Sequence, residues 1–135
     1  MCALSMCCSF ARETAETPGG DVFRLVCEPS VDVLGGVVLV HGLGDHSQRY
    51  ERLLAYLAEK GIASVATDLP GHGRSSGRRG HIAGIAEVDR SIEGARERLE
   101  GSVGGAPCGI AGHSRGGLLV LALFARGRGG RFALV

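Results

Sequence analysis

The chain has 135 residues, a formal net charge of +1 and a hydrophobic fraction of 44%, which together fit one small globular domain and exclude a disordered chain. No clustered basic excess indicates a nucleic-acid partner, and no apolar run approaches the roughly 18 residues of a membrane-spanning helix. The five cysteines are odd in number and form no C-x-x-C pair, which argues against a disulfide framework or a zinc site and favours a reducing, cytoplasmic compartment.

The first half of the chain predicts two strands and a helix after an irregular start. Residues 1–20 are predicted to be a poorly ordered lead-in, and residues 21–27 alternate enough for an edge strand. Residues 37–40 are apolar at every position, which is typical of a strand buried on both faces. Residues 47–60 carry one apolar helical stripe, with Ser47 as the expected cap.

The second half alternates strand and helix. We predict strands over residues 62–67, 107–111 and from 132 onwards, helices over residues 85–101 and 115–125, and a long loop over residues 68–81. The helix over residues 115–125 is apolar all round, which predicts that it lies inside the molecule. The fold class is therefore α/β, with a mostly parallel sheet and helices on both faces, and residues 21–135 form the amino-terminal part of that domain.

The run GHSRG at residues 112–116 has the pattern G-x-S-x-G of a nucleophile elbow. A strand-like run precedes it and an apolar helix follows, which is the setting that such an elbow requires. The chemistry needs a serine hydroxyl that projects from a tight corner, with small residues two before and two after it. The pattern predicts Ser114 as a nucleophile.

A second short run, HGLG at residues 41–44, directly follows the buried strand at residues 37–40. Acyl transfer needs backbone N–H donors for the developing oxyanion, and in this setting they come from that loop and from the residue after the nucleophile. Leu43 and Arg115 are the predicted donors. His41 is predicted to brace the loop by hydrogen bonding.

A third run, DLPGHGRS at residues 68–75, holds a carboxylate, a histidine and a serine close together in sequence. Residues this near on one loop rarely reach the geometry of a catalytic triad, and the proline and glycines suit a structural turn. We therefore predict that Asp68 ties this loop to its neighbours.

These three runs, in this order, resemble the monoacylglycerol lipase and lysophospholipase branch of the α/β-hydrolases, often labelled serine aminopeptidase-like. The resemblance covers roughly residues 35–135. It implies that Ser114 is the nucleophile and that Leu43 and Arg115 supply the oxyanion N–H groups. Arg115 departs from the methionine usual in these lipases and puts a charge beside the acyl pocket.

That family's triad continues with Asp or Glu and then His, whereas residues 115–135 contain none of these. The triad acid and base therefore have no position in this chain, and the lid is missing as well. We expect an amino-terminal fragment of a longer enzyme that is inactive by itself.

The resulting functional prediction is a serine hydrolase of carboxylic esters, monoacylglycerol lipase or lysophospholipase-like, acting through an acyl-serine intermediate. A non-catalytic hydrolase-like binding module and a peptidase of the same fold are the alternatives. We expect a small acyl-ester or lipid substrate, no nucleic acid, no cofactor and no metal ion. Peripheral membrane contact of the full-length protein and the oligomeric state are left open.

Overall fold

The structure is a computed structural model that describes residues 7–130 and 132–134. Within those residues, six strands form one sheet and three α-helices pack on it. The strands are β1 (Cys8–Thr17), β2 (Gly20–Pro29), β3 (Gly35–Val40), β4 (Ile62–Thr67), β5 (Cys108–Gly112) and β6 (Ala133–Leu134), and the helices are α1 (Glu51–Glu59), α2 (Ile85–Val103) and α3 (Arg115–Ala125).

The strand order is β1-β2-β4-β3-β5-β6. The four strands from β4 to β6 pair in parallel, whereas β1 and β2 pair antiparallel with their neighbours. Helix α1 packs on one face through Leu54 and Ala58, while α2 and α3 cover the other face through residues such as Ile92 and Leu123. The predicted α/β class, with a mostly parallel sheet and helices on both faces, is confirmed.

The prediction of a poorly ordered lead-in is wrong for residues 8–17, which form strand β1; residues 1–6 lie outside the described residues. Strand β1 pairs with β2 over its whole length, with Thr17 opposite Gly20, so residues 18 and 19 form a tight hairpin turn. Strand β2 is consequently an inner strand and not the predicted edge. The carboxylate of Glu13 on β1 also accepts bonds of 2.9 and 3.0 Å from Arg98 of α2.

The first helix begins later than its periodicity predicts. Residues 47–50 form a separate 3₁₀ turn, and Ser47 is buried there without capping α1 through its side chain. The buried face of α1 consists of Leu54, Ala55 and Ala58, whereas Leu53 is exposed. The apolar pattern therefore locates the buried face of α1 only approximately, because Leu53 belongs to the pattern and is exposed.

Helix α3 covers its predicted range, but it is not buried on all sides. Gly116, Val120 and Leu123 face the sheet, whereas Leu118 and Leu121 point outwards and are 68% and 53% exposed. An apolar pattern on all sides of a helix does not show whether neighbouring elements cover each side. The prediction that the whole helix is buried was therefore wrong for its outward-facing leucines. In the part of the chain that the structure describes, no helix is both long and apolar enough to cross a bilayer.

Candidate active site

Three loops meet at one end of the sheet because β4, β3 and β5 are adjacent parallel strands. The loop at residues 41–45 follows β3, the loop at residues 68–75 follows β4, and the corner at residues 113–114 follows β5. Carboxyl ends of parallel strands are where ligands bind in such sheets. All three runs singled out in the sequence therefore lie at this end.

Ser114 lies at the corner between β5 and α3 and is exposed. Its backbone has φ 56° and ψ −121°, and among the described residues no other non-glycine residue has a positive φ. A Cβ on Gly112 would lie 2.5 Å from the backbone of Gly116, and one on Gly116 would lie 2.5 Å from the carbonyl oxygen of His41. The corner is thus strained and too tight for larger residues, as the sequence pattern required.

The loop after β3 approaches this corner closely. A Cβ on Gly42 would lie 3.3 Å from the Cβ of Ser114 and 3.2 Å from the carbonyl oxygen of His113. Among the described residues, the amide N–H groups of Leu43 and Arg115 donate to no turn, loop or side-chain acceptor. Leu43 lines the same cavity as Ser114, and Arg115 follows Ser114 directly in the chain, while the role of their N–H groups as oxyanion donors stays a prediction.

His41 is buried and braces the loop from within, as its position in the sequence predicted. Its Nε2 accepts a 2.9 Å bond from the N–H of Leu69, so Nδ1 carries the proton and donates to the carbonyl oxygen of Gly42 at 2.7 Å. Burial lowers the pKa of His41 and outweighs the opposing effects of this backbone bond and of Asp68. His41 is consequently a neutral structural group that joins the loops after β3 and β4.

Asp68 also joins loops, in agreement with the sequence-based prediction. Its buried carboxylate accepts a 2.6 Å bond from the N–H of Ser47 and a 2.9 Å bond from the N–H of Arg74. Its carbonyl oxygen accepts a 2.6 Å bond from the hydroxyl of Ser75, which in turn accepts from the N–H of Phe23 at 2.9 Å. These bonds hold Asp68 away from any role at Ser114.

Sequence reasoning missed a polar cluster beside Ser114. The hydroxyl of Tyr50 donates to Asp45 at 2.7 Å and lies 3.2 Å from Nδ1 of His113, and Arg49 lies 3.4 Å from Asp45. These four side chains and Ser114 line an open cavity of about 430 Å³. Tyr50 lies within the apolar helical pattern of residues 47–60, and its ring packs against the core while its hydroxyl reaches the cavity.

No side chain in the described part of the chain is in place as a general base at Ser114. Among the described residues, no side chain forms a hydrogen bond with the Ser114 hydroxyl, and the ring of His113 is directed to Tyr50. In the same part of the chain, no group of three or more His, Cys, Asp or Glu side chains is arranged to hold a metal ion. Within the described residues, the site therefore holds an exposed serine without a base bonded to it.

A mostly parallel sheet with a strained serine corner after a central strand defines the α/β-hydrolase class. Residues 32–135 match the family model described as "Serine aminopeptidase, S33". Because this match covers more than half of the chain, the protein belongs to that family of α/β-hydrolases.

The chain is also similar in sequence to two monoglyceride lipases. The chain is 34% identical to a monoacylglycerol lipase of Mycolicibacterium smegmatis over 82% of this chain and 39% of the relative. It is 33% identical to the human monoglyceride lipase over 72% of this chain and 32% of the relative. The chain therefore spans less than half the length of these proteins.

Solved structures show the same fold. A carboxyl esterase from Bacillus coagulans superposes with a TM-score of 0.80 at 22% identity, over 93% of this chain and 43% of the esterase. A monoglyceride lipase from Saccharomyces cerevisiae superposes with a TM-score of 0.75 at 22% identity, over 92% of this chain and 42% of the lipase. At these identities the likeness concerns the fold alone.

Proposed function

We propose that Ser114 is the nucleophile of a carboxylic ester hydrolase that acts through an acyl-serine intermediate. The observation that carries this proposal is the strained backbone of the exposed Ser114 at the corner between β5 and α3. In this reaction the serine oxygen attacks the ester carbonyl, and the N–H groups of Leu43 and Arg115 bind the oxyanion that forms. The alcohol then leaves and water releases the acid.

The cavity beside Ser114 supports a substrate with a polar alcohol group. Its lining includes the charged pair of Asp45 and Arg49 and the polar groups of Tyr50 and His113. The related proteins include monoacylglycerol lipases and a phospholipase of Bacillus subtilis, and all of these names denote enzymes that act on lipid esters. We therefore propose monoacylglycerol-like or lysophospholipid-like esters, with the polar alcohol in this cavity.

The 135-residue chain by itself is proposed to be a very poor catalyst. His41 is neutral and bound on both ring nitrogens, and the Nδ1 of His113 is paired with Tyr50. No described side chain bonds to the Ser114 hydroxyl, so none of them is placed to remove its proton during attack. Oriented N–H donors without a base still leave a modest rate enhancement in serine hydrolases.

Labelling with a fluorophosphonate tests the nucleophile on this chain. The serine oxygen forms a P–O bond, the P–F bond breaks with release of fluoride, and the hydroxyl proton leaves to water or to imidazole where it is added. We expect slow, stoichiometric labelling that peptide mass mapping assigns to Ser114 and that Ser114→Ala abolishes. Added imidazole should replace the missing base and accelerate labelling by roughly tenfold.

Two variants provide the controls. Ser102→Ala alters a serine on α2 whose hydroxyl bonds to Glu28 and which does not line the cavity, and this variant should label like the wild type. Equal labelling of Ser114→Ala, or labelling spread over other serines, would contradict the nucleophile. Rapid turnover of a monoacylglycerol without imidazole would contradict the proposed inactivity and leave the nucleophile unaffected.

A further inference from the structure

Tyr50 is the residue that contacts both of the loops that form the candidate site. Its hydroxyl bonds to Asp45 in the loop that carries Leu43, and it meets His113, which immediately precedes Ser114. Tyr50 is itself only partly buried, in the 3₁₀ turn between that loop and α1. Its ring also lies edge-on to the ring of His113, with centroids 6.3 Å apart.

The direction of the protons in this chain of bonds follows from the acceptors. Asp45 also accepts a 2.9 Å bond from the N–H of His46 and lies 3.4 Å from Nε of Arg49, which are the surroundings of an ionised carboxylate. An ionised carboxylate only accepts, so Tyr50 must donate its single proton to Asp45. Tyr50 then accepts from His113, whose Nδ1 must carry a proton.

The pKa values agree with this assignment. Partial burial alone would raise the pKa of Asp45, but the bonds from Tyr50 and His46 and the charge of Arg49 hold it below its usual value. Burial, followed by the bond to Asp45, raises the pKa of Tyr50 to about 12. At neutral pH the carboxylate is therefore ionised and the phenol keeps its proton.

We propose that Tyr50 is a positioning residue of the Ser114 site, which ties the oxyanion loop to the nucleophile elbow and fixes the proton of His113 on Nδ1. The positioning role rests on the proposed function of Ser114, whereas the placement of the His113 proton does not. The two loops already touch at Gly42, whose added Cβ would lie 3.3 Å from that of Ser114. The tie through Tyr50 sets the spacing of the Leu43 and Arg115 N–H groups around the hydroxyl.

The tautomer of His113 can be read without any activity. Two-bond ¹H–¹⁵N correlation spectra of ¹⁵N-histidine-labelled protein at pH 8 distinguish a proton on Nδ1 from one on Nε2, and His113→Gln identifies the signals. We expect the Nδ1–H pattern in the wild type. Tyr50→Phe should remove the acceptor and move His113 towards the Nε2–H form, which free imidazole side chains prefer.

Asp45→Ala provides a second, independent variant. Without its acceptor, the Tyr50 hydroxyl is free to donate to Nδ1 of His113, so the proton of His113 should again move to Nε2. Tyr56→Phe is the matched control, because Tyr56 is an exposed tyrosine on α1 that lies near Lys60 and contacts neither loop. It should leave the spectrum unchanged.

Imidazole-assisted labelling of Ser114 gives the second readout. We expect Tyr50→Phe to slow it by about 10- to 100-fold, since small displacements of positioned groups cost rates of that order, and Tyr56→Phe to leave it unaltered. An Nδ1–H pattern that persists in Tyr50→Phe, or an equal change in Tyr56→Phe, would overturn the proposal. If the wild type is not labelled at Ser114, the proposed function fails, while the spectra still decide whether Tyr50 fixes the His113 proton.

Discussion

The close approach of α3 to the end of β3 makes Gly116→Ala a demanding test of the elbow. The new Cβ would lie 2.5 Å from the carbonyl oxygen of His41 and closer still to that of Val40. Ordinary contact begins at 3.4 Å, so the helix would have to retreat by roughly 0.9 Å or more. Both clashing atoms are backbone carbonyl oxygens, one of the last residue of β3 and one of the residue that follows it, and they cannot rotate away as a side chain could.

The expected cost follows from this geometry. Overpacking of a rigid site costs about 1–3 kcal/mol, and the upper part of that range applies here. The better helix propensity of alanine returns at most about 1 kcal/mol, since the position lies in the first turn. We expect the free energy of unfolding to fall by about 2 kcal/mol, with a Tm lower by roughly 8 °C.

Urea denaturation and thermal unfolding measure this cost, and Gly101→Ala is the matched control. Gly101 is an exposed residue of α2, and its added Cβ would meet no atom within 4 Å. Its replacement should stabilise the protein by about 0.5–1 kcal/mol. If Gly116→Ala is as stable as the wild type while Gly101→Ala behaves as expected, the tight corner described above does not exist.

Three further predictions concern strain, buried bonds and pH. The free energy of unfolding, measured by urea denaturation, should be about 1–2 kcal/mol higher for Ser114→Gly than for Ser114→Ala, because glycine adopts φ 56° without strain. Equal values for the two variants would argue against backbone strain at this position. Asp68→Ala should lower the free energy of unfolding by about 2–4 kcal/mol, because it leaves the N–H groups of Ser47 and Arg74 unpaired. Asp68→Asn should recover part of that loss. A loss below about 1 kcal/mol in Asp68→Ala would refute the prediction. Burial holds the pKa of His41 in the folded protein below 6.5, so neutral His41 contributes its full stabilisation above pH 6.5 and loses it as the pH falls from 6.5 towards the folded pKa. The Tm measured from pH 8 to 5 should therefore decline less steeply in His41→Asn than in the wild type. Parallel curves for the two proteins would contradict this prediction.

Local sequence patterns predicted most of the elements and the central corner. The strand at residues 62–67 and the helix at residues 115–125 are found with the predicted bounds, and the hydrophobic periods explain them. The hairpin that forms β1 was missed, although Pro18 and Gly19 separate two alternating runs, which is a hairpin signal. Only its tie to Arg98 of α2, which is distant in the sequence, leaves no local trace.

The amino-acid sequence by itself determined the tight serine corner, because glycines at residues 112 and 116 are needed by short-range backbone contacts that the motif records. It also determined the bracing roles of His41 and Asp68, since each follows directly on a buried strand. Only the tertiary structure decided that the hydroxyl of Tyr50, whose ring packs against the core, meets Asp45 and His113, and that one face of α3 is exposed. Both depend on how separate segments are oriented in space, and hydrophobic period within a single segment contains no information about that orientation.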